Sequence, residues 1–268
     1  MRFCVLGSGS KGNSTYIEAG NTRILIDAGF SGIEVERRLG AIGVDAASLS
    51  AILITHEHSD HIRGAAILSR KHHLPVFVSP KTCEAAGKVF AKLFAGIDFC
   101  AGTSFVFQNL HIHPFSVSHD AADPVGFIVS DGQWSVGYCT DTGTVFRLMA
   151  HRLHGCHGLV LECNHDPDML KNGPYPPALQ QRIRSKSGHL ANGEAASFLT
   201  TILHEGLEHV VLSHLSGTNN DPELAHQAIV EALQRFQDEG GEPCRVPRIT
   251  VASQDRVGEL VTFTGSRK

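Results

Sequence analysis

The chain has 268 residues, of which 42% are hydrophobic and 19% are charged. This balance allows a sizeable buried core and excludes a disordered chain. The net charge of −4 argues against a protein that coats nucleic acid through bulk electrostatics, because such proteins carry an excess of positive charge.

Strand-like and helical segments follow one another along the whole chain. Runs rich in β-branched and aromatic residues predict strands at 2–7, 15–18, 23–26, 51–55, 76–78, 104–107, 124–129, 135–139, 158–162, 209–213, 249–252 and 260–263. Helical periodicity predicts helices at 33–39, 65–71, 81–94, 145–153, 194–205 and 223–236. Short turns between the early strands indicate antiparallel hairpins with helices outside them, and no linker or composition shift marks a boundary. We therefore expect one α/β domain over residues 1–268.

The apolar runs and the cysteines bear on where the protein acts. Every apolar run is interrupted by glycine, histidine or charge within about ten residues, which is too short for a membrane span. The run at 2–7 continues directly into Gly and Ser and lacks the cleavage site of a secretory signal. The seven cysteines, from Cys4 to Cys244, include no Cys-x-x-Cys pair and predict neither a disulfide framework nor a zinc ribbon. We expect a cytoplasmic protein with no membrane partner.

A histidine-rich segment carries the strongest chemical signal. His56, His58, Asp60 and His61 directly follow the apolar run at 51–54. Such a cluster at the end of a buried strand is costly unless a cation neutralises it. His56 and His58 are two residues apart and can face one metal ion, whereas Asp60 and His61 can reach a second. A His-rich surface turn is the alternative interpretation, and the spacing favours metal binding.

These four residues resemble the signature loop of the metallo-β-lactamase superfamily. The resemblance implies an αββα sandwich, in which two mixed sheets pack face to face with helices outside. It also implies that Asp27, at the end of the strand 23–26, orients the histidine loop by hydrogen bonds. Taken alone, an Asp before a turn would be ordinary turn chemistry.

Further metal ligands follow from later motifs of the same superfamily. His119, Asp141 and His214 resemble the ligands of its third, fourth and fifth motifs, and His111 and His113 are weaker competitors for His119. The resemblance implies that Asp141 bridges two ions. The implied first site is His56, His58, His119 and Asp141, and the implied second site is Asp60, His61, Asp141 and His214. Imidazole and carboxylate ligands suit two divalent ions, zinc or manganese, with iron as a further option.

Two other segments point to a nuclease branch of the superfamily. Glu162 and His189 resemble the paired Glu and His of tRNase Z-type nucleases, in which the histidine lies beside the scissile phosphate. Separately, each could be an ordinary surface or loop residue. Substrate contacts are expected from hydroxyl and amide groups and from a basic cluster without an acidic neighbour; these are Ser216, Thr218, Asn219, Arg182, Arg184 and Lys186. A solvated helix face is the simpler interpretation of the basic cluster by itself.

Segments at 7–14, 164–166, 173–176, 188–190 and 219–220 resemble the YycJ/WalJ group of bacterial exonucleases. This resemblance implies a 5′-to-3′ DNA exonuclease, with DNA favoured over RNA and the oligomeric state open. The stretch between Asp141 and His214 leaves no room for an inserted β-CASP domain. Ala191 departs from the pattern, because a serine is expected there.

The implied mechanism uses two metal ions to activate water, whose pKa falls from about 15.7 toward roughly 7 beside a cation. Asp60 would accept the proton, and His189, held by Glu162, would protonate the leaving oxygen. A glyoxalase II-like thioesterase or a lactonase would share all seven ligands, and Glu162, His189 and the basic residues argue against both. A non-catalytic metal-binding regulatory module is disfavoured, because structural sites close their coordination with protein ligands.

Overall fold

A computed structural model describes residues 1–240 and 245–263, so Cys244 lies outside the described residues. The strands are β1 Arg2–Gly7, β2 Ser14–Ala19, β3 Thr22–Ile26, β4 Ala51–Leu53, β5 Pro75–Val78, β6 Ala95–Asp98, β7 Phe105–Phe107, β8 Leu110–Ser116, β9 Val125–Ser130, β10 Ser135–Cys139, β11 Gly158–Glu162, β12 His209–Ser213, β13 Arg248–Val251 and β14 Val261–Thr262. The helices are α1 Gly32–Ala41, α2 Ser59–Ile62, α3 Ala65–His72, α4 Pro80–Ala86, α5 Arg147–Leu153, α6 Pro167–Asn172, α7 Pro177–Ile183, α8 Asn192–Ile202 and α9 Pro222–Asp238.

The strands form two mixed sheets of seven strands each, and the chain divides into two compact units. Unit 1 comprises residues 1–116, 121–134 and the segment from 253 onward, and unit 2 comprises 117–120 and 135–252. None of the helices in residues 1–240 and 245–263 combines the length and the apolar composition that a membrane span requires.

Unit 1 contains one complete sheet, in the order β14-β1-β2-β3-β4-β5-β6. Its first strands pair antiparallel through short turns, as the sequence predicts, and β3 to β6 pair parallel. Strands β3, β4 and β5 are almost fully buried, which explains their largely apolar sequences, whereas the edge strand β6 is mostly exposed. Strands β7, β8 and β9 of the same unit pair antiparallel.

A glycine lets the end of β3 lie against the histidine loop, which we define as residues 55–61. The Ala28 amide donates to the carbonyl of His61 at 2.8 Å, and the Asn13 amide donates to the carbonyl of Asp60 at 2.7 Å. A Cβ atom on Gly29 would lie 1.6 Å from the Asp60 carbonyl oxygen. Because only glycine fits at this position, the close approach that orders the loop depends on it.

Unit 2 contains the parallel strands β10, β11, β12 and β13. Cys139 lies opposite Leu161, and Glu162 lies opposite Ser213, so the carboxyl ends of three strands meet at one edge. Asp141, Glu162 and His214 lie at these ends, where ligands of parallel sheets are commonly bound.

The structure differs from the predictions in one helix and in strands that were not predicted. The helix predicted at 81–94 ends at Ala86, because Gly87 takes a φ of 52° in the left-handed region and a short 3₁₀ turn follows. Strands β6 and β8 were not predicted, and β8 contains Pro114, a residue type that is uncommon in strand interiors. Pro114 nevertheless lies opposite Phe127 in the β8–β9 pair, and its carbonyl accepts from the Gly102 amide at 2.8 Å.

Candidate functional site

Asp27 organises the histidine loop in unit 1, as the sequence predicts. Its Oδ1 accepts from the Thr55 amide at 2.9 Å, and its Oδ2 accepts from the Thr55 hydroxyl at 2.8 Å and lies 2.7 Å from His61 Nδ1. Asp27 is fully buried, and this burial raises the pKa of its carboxyl despite the nearby His61. Because an ionised carboxylate only accepts, His61 Nδ1 carries the proton in this contact and Nε2 keeps its lone pair.

The imidazoles of the histidine loop are crowded together. His56 Nε2 lies 3.1 Å from His58 Nδ1, and the ring centroids of His56 and His61 are 4.1 Å apart. His56 and His61 are buried, whereas Asp60 is partly exposed and its Oδ2 lies 3.5 Å from His61 Nε2. Three imidazoles and a carboxylate in so small a volume form a donor set that fits a divalent metal ion.

Asn13 also contacts the histidine loop, although the sequence indicated no individual role for it within the segment 7–14. Its side-chain nitrogen lies 3.1 Å from His61 Nε2 and 3.3 Å from Asp60 Oδ2, and the residue is fully buried. Its side-chain oxygen accepts from the Ser8 hydroxyl at 2.8 Å and the Gly9 amide at 2.9 Å. The loop after β1 therefore supports the histidine loop through one amide side chain.

Glu162 is the centre of the candidate site in unit 2. Its Oε1 lies 2.8 Å from His189 Nδ1 and 3.0 Å from His214 Nδ1, and its Oε2 accepts from the amides of Thr142 at 2.8 Å and Leu190 at 3.3 Å. The residue is fully buried. Burial alone would raise the pKa of this carboxyl, but the charge of His189 and the hydrogen bonds from His189 and His214 hold it below its usual range.

Asp141 and His214 lie beside Glu162. His214 Nδ1 is 3.4 Å from Asp141 Oδ1, and His189 Nδ1 is 3.9 Å from the same oxygen. Both Asp141 and His214 take positive φ values, 56° and 57°; Asp141 lies two residues after the end of β10, and His214 directly follows β12. Such backbone conformations cost about 1–3 kcal/mol and persist where the surrounding structure requires them. Asn164 supports His214, because its side-chain amide donates to the His214 carbonyl at 2.7 Å.

His119 also faces Asp141, at 3.8 Å between its Nε2 and Asp141 Oδ1. Its Nδ1 lies 3.2 Å from the Gly188 carbonyl, and burial lowers the pKa of its imidazole. Since a carbonyl only accepts, Nδ1 carries the proton. His61, His119 and His214 therefore share one arrangement, in which Nδ1–H donates to an oxygen and Nε2 keeps a lone pair, the form that binds metals.

The residues predicted to contact substrate differ in exposure. Arg182, Arg184, Lys186 and Thr218 are exposed, whereas Ser216 and Asn219 are buried. Arg182 forms an ion pair with Asp120, at 2.6 Å between Nε and Oδ2, and the sequence analysis did not anticipate this pair. The competitors of His119 lie on β8, where His111 is exposed and His113 Nδ1 lies 2.8 Å from the Ser104 hydroxyl.

Comparisons with known proteins place the chain in a family. Residues 22–215 match the family model described as "Beta-lactamase superfamily domain". The chain is 36% identical over 236 residues to "Exodeoxyribonuclease YycJ" of Bacillus anthracis, covering 87% of this chain and 89% of that protein. It is 37% identical over 239 residues to "Exodeoxyribonuclease WalJ" of Streptococcus pneumoniae, covering 87% and 88%.

Solved structures show the same fold at low identity. The metallo-β-lactamase fold protein YhfI of Bacillus subtilis matches with a TM-score of 0.71 at 19% identity, covering 96% of this chain and 99% of that one. The short form of human tRNase Z matches with a TM-score of 0.65 at 16% identity, covering 98% and 100%. The predicted fold class is thus confirmed, and the chain belongs to the metallo-β-lactamase superfamily.

Proposed function

We propose that this protein is a metal-dependent hydrolase of nucleic acid, and more specifically a cytoplasmic 5′-to-3′ DNA exonuclease. The observation that carries the proposal is the contact of His189 with the buried carboxylate of Glu162, next to Asp141 and His214. A thioesterase or lactonase has no need of this histidine–carboxylate pair. The identity of 36–37% to proteins named exodeoxyribonuclease, over most of both chains, supports the same substrate class.

The proposed metal ligands are the seven residues that the sequence analysis assigned, namely His56, His58, Asp60, His61, His119, Asp141 and His214. We propose that they bind two divalent ions, zinc or manganese, with Asp141 shared between them. The proposal is supported by the donor chemistry within each unit, because imidazole and carboxylate groups are the ligands that these ions commonly take. When bound, such ions make water a better nucleophile and stabilise negative charge on phosphate oxygens.

Proton transfer and phosphate binding are assigned to side chains of the protein. His189 contacts Glu162 through Nδ1, which orients its imidazole, and we assign to its Nε2 the delivery of a proton to the leaving oxygen. Asp60 is partly exposed and can accept the proton of the attacking water. Arg184 and Lys186 are exposed and can contact neighbouring phosphates, whereas Arg182 is engaged with Asp120.

The test uses the full-length protein, stripped of metal by a chelator and then supplied with zinc or manganese. It is incubated with end-labelled single- and double-stranded DNA, with RNA and with S-lactoylglutathione. We expect metal-dependent shortening of DNA and no turnover of the thioester. Rapid thioester hydrolysis with intact DNA would overturn the proposal in favour of the glyoxalase II-like alternative.

A further inference from the structure

Unit 2 contains a cavity of about 570 Å³ that the proposed mechanism does not use. Two segments line it, residues 143–150 and residues 190–201. Its walls are largely apolar, with Val145, Phe146, Leu190 and Phe198 among the lining residues. The volume lies within the range of roughly 300–1,000 Å³ that is typical of small-molecule sites.

The cavity lies directly beside the candidate catalytic groups. Both lining segments are hydrogen-bonded to one carboxylate oxygen at or next to their first residue. Glu162 Oε2 accepts from the amide of Thr142, which precedes the first segment, and from the amide of Leu190, which begins the second. Gly143 begins one wall two residues after Asp141, and Leu190 begins the other one residue after His189. With about 3.8 Å between consecutive Cα atoms, the start of each wall lies within about 8 Å of a proposed catalytic or metal-binding residue.

The lining indicates what kind of group the cavity accepts. Phe146 is 48% exposed, whereas Phe198 is buried and only 3% exposed. Arg147 is the one cation that lines the cavity among the residues the structure describes. Glu194 is the one acidic residue there within the same described ranges, and its carboxylate accepts from the Ala191 amide at 2.9 Å, which engages it in capping α8. A ligand with a flat apolar ring and an attached negative charge fits these residues, because the ring matches the phenylalanines and the charge matches Arg147.

We propose that the cavity receives the base of the nucleotide next to the scissile phosphodiester. Phe146 stacks on the base, and Arg147 contacts a phosphate of the same strand. Stacking on an aromatic side chain tolerates every base, which suits an enzyme that degrades DNA of any sequence. This inference rests on the proposed function, since it concerns the substrate of the same site.

The test begins with the wild-type protein, loaded with metal, and single-stranded oligonucleotides that carry one abasic nucleotide. The abasic nucleotide is moved in steps from the end at which cleavage starts. We expect KM to rise about 5- to 150-fold at one position, the range that corresponds to the loss of one stacked base. The increase should be much smaller at the other positions. A KM that is the same at every position of the abasic nucleotide would overturn the inference.

Variants of the cavity lining test whether the increase in KM caused by the abasic nucleotide arises in the cavity. Phe146→Ala should raise KM for intact DNA by a similar factor, and the abasic nucleotide should then cause little further increase. Phe146→Tyr keeps an aromatic ring and should have the wild-type KM. Phe146→Leu lacks the ring and should show a raised KM. Leu148→Ala is the matched control, because Leu148 is 61% exposed, lies on α5 and does not line the cavity. If Phe146→Ala fails to fold, Ser197→Trp takes its place, because a tryptophan on α8 would fill the cavity. This variant should likewise raise KM for intact DNA, and the abasic nucleotide should then cause little further increase.

The outcomes separate the inference from the function on which it rests. If the wild-type protein cleaves DNA with a flat abasic profile, or if Phe146→Ala and the abasic nucleotide act additively, the cavity assignment is wrong and the nuclease remains. If the wild-type protein cleaves no DNA with any divalent ion, the proposed function is wrong and the inference is overturned with it.

Discussion

Replacing Glu162 by glutamine tests how the candidate site in unit 2 is held together. The two residues have nearly the same shape, but the carboxylate accepts from four donors whereas an amide accepts at one oxygen only. In the structure Oε1 faces His189 and His214, and Oε2 faces the amides of Thr142 and Leu190. Turned toward Thr142 and Leu190, its NH₂ group faces two backbone N–H donors. Turned toward His189 and His214, it requires both imidazoles to move their proton from Nδ1 to Nε2.

The magnitude follows from those two lost contacts. A buried donor left without an acceptor costs about 1–3 kcal/mol, so two of them lower the free energy of unfolding by about 2–6 kcal/mol. The activity falls as well, because His189 and His214 lose the group that fixes their protonation at Nδ1. Changes to such supporting residues typically reduce metal affinity or activity by about 10–100-fold.

The measurement combines urea unfolding, metal content of the purified protein and turnover of end-labelled DNA. Glu231→Gln is the matched control, because Glu231 is exposed on α9 and its Oε1 accepts only a surface contact from Gln227, at 2.7 Å. The control should match the wild type in all three measurements. A Glu162→Gln protein with wild-type stability and turnover would refute the role assigned to this carboxylate.

Three further predictions concern other groups. His189→Ala should keep the wild-type metal content and lose about 10²–10⁴-fold in turnover of DNA, with a smaller loss on a nitrophenyl phosphodiester, whose leaving group needs no proton; equal losses would contradict the leaving-group role. Reversing the charges of Arg184 and Lys186 should weaken DNA binding and flatten its log–log salt slope by about 0.7–0.9 per lost phosphate contact; an unchanged slope would exclude them from the DNA path. The pKa of Glu34 is lowered from 4.5 to about 2, chiefly by the hydrogen bond from Arg37. A group with a depressed folded-state pKa stabilises the fold above its unfolded value, so the stability difference between wild type and Glu34→Gln should shrink as the pH falls below 4.5 and vanish only below about 2; a difference that is as large at pH 2 as at pH 7 would contradict this.

Much of the candidate site was predictable because it depends on local sequence. The histidine loop carries its ligands within a few residues, Asp141 and His214 follow predicted strands, and His119 precedes the predicted strand at 124–129. Asp27 was predicted for the same reason, since a strand-ending carboxylate before the loop is part of a known pattern. The prediction of a metallo-β-lactamase fold is confirmed by the structural matches.

Other features depend on contacts between distant segments, and no local pattern indicates them. Arg182 and Asp120 are far apart in the chain, so their ion pair appears only when α7 and the loop after β8 are seen together. The cavity forms where residues 143–150 meet residues 190–201, and neither segment is unusual in sequence. The burial of Asn219 is likewise a consequence of tertiary packing, since an Asn after a Gly-Thr turn is ordinarily exposed.

We propose that this protein degrades DNA from a strand end with the help of divalent metal ions. The most direct test compares linear DNA with a covalently closed circle of the same sequence, using metal-stripped protein supplied with manganese or zinc. We expect the linear DNA to be shortened from its 5′ end, only when metal is added, and the circle to stay intact. Cutting of the circle at a rate similar to that of the linear DNA would contradict the claim, as would linear DNA that stays intact with every metal.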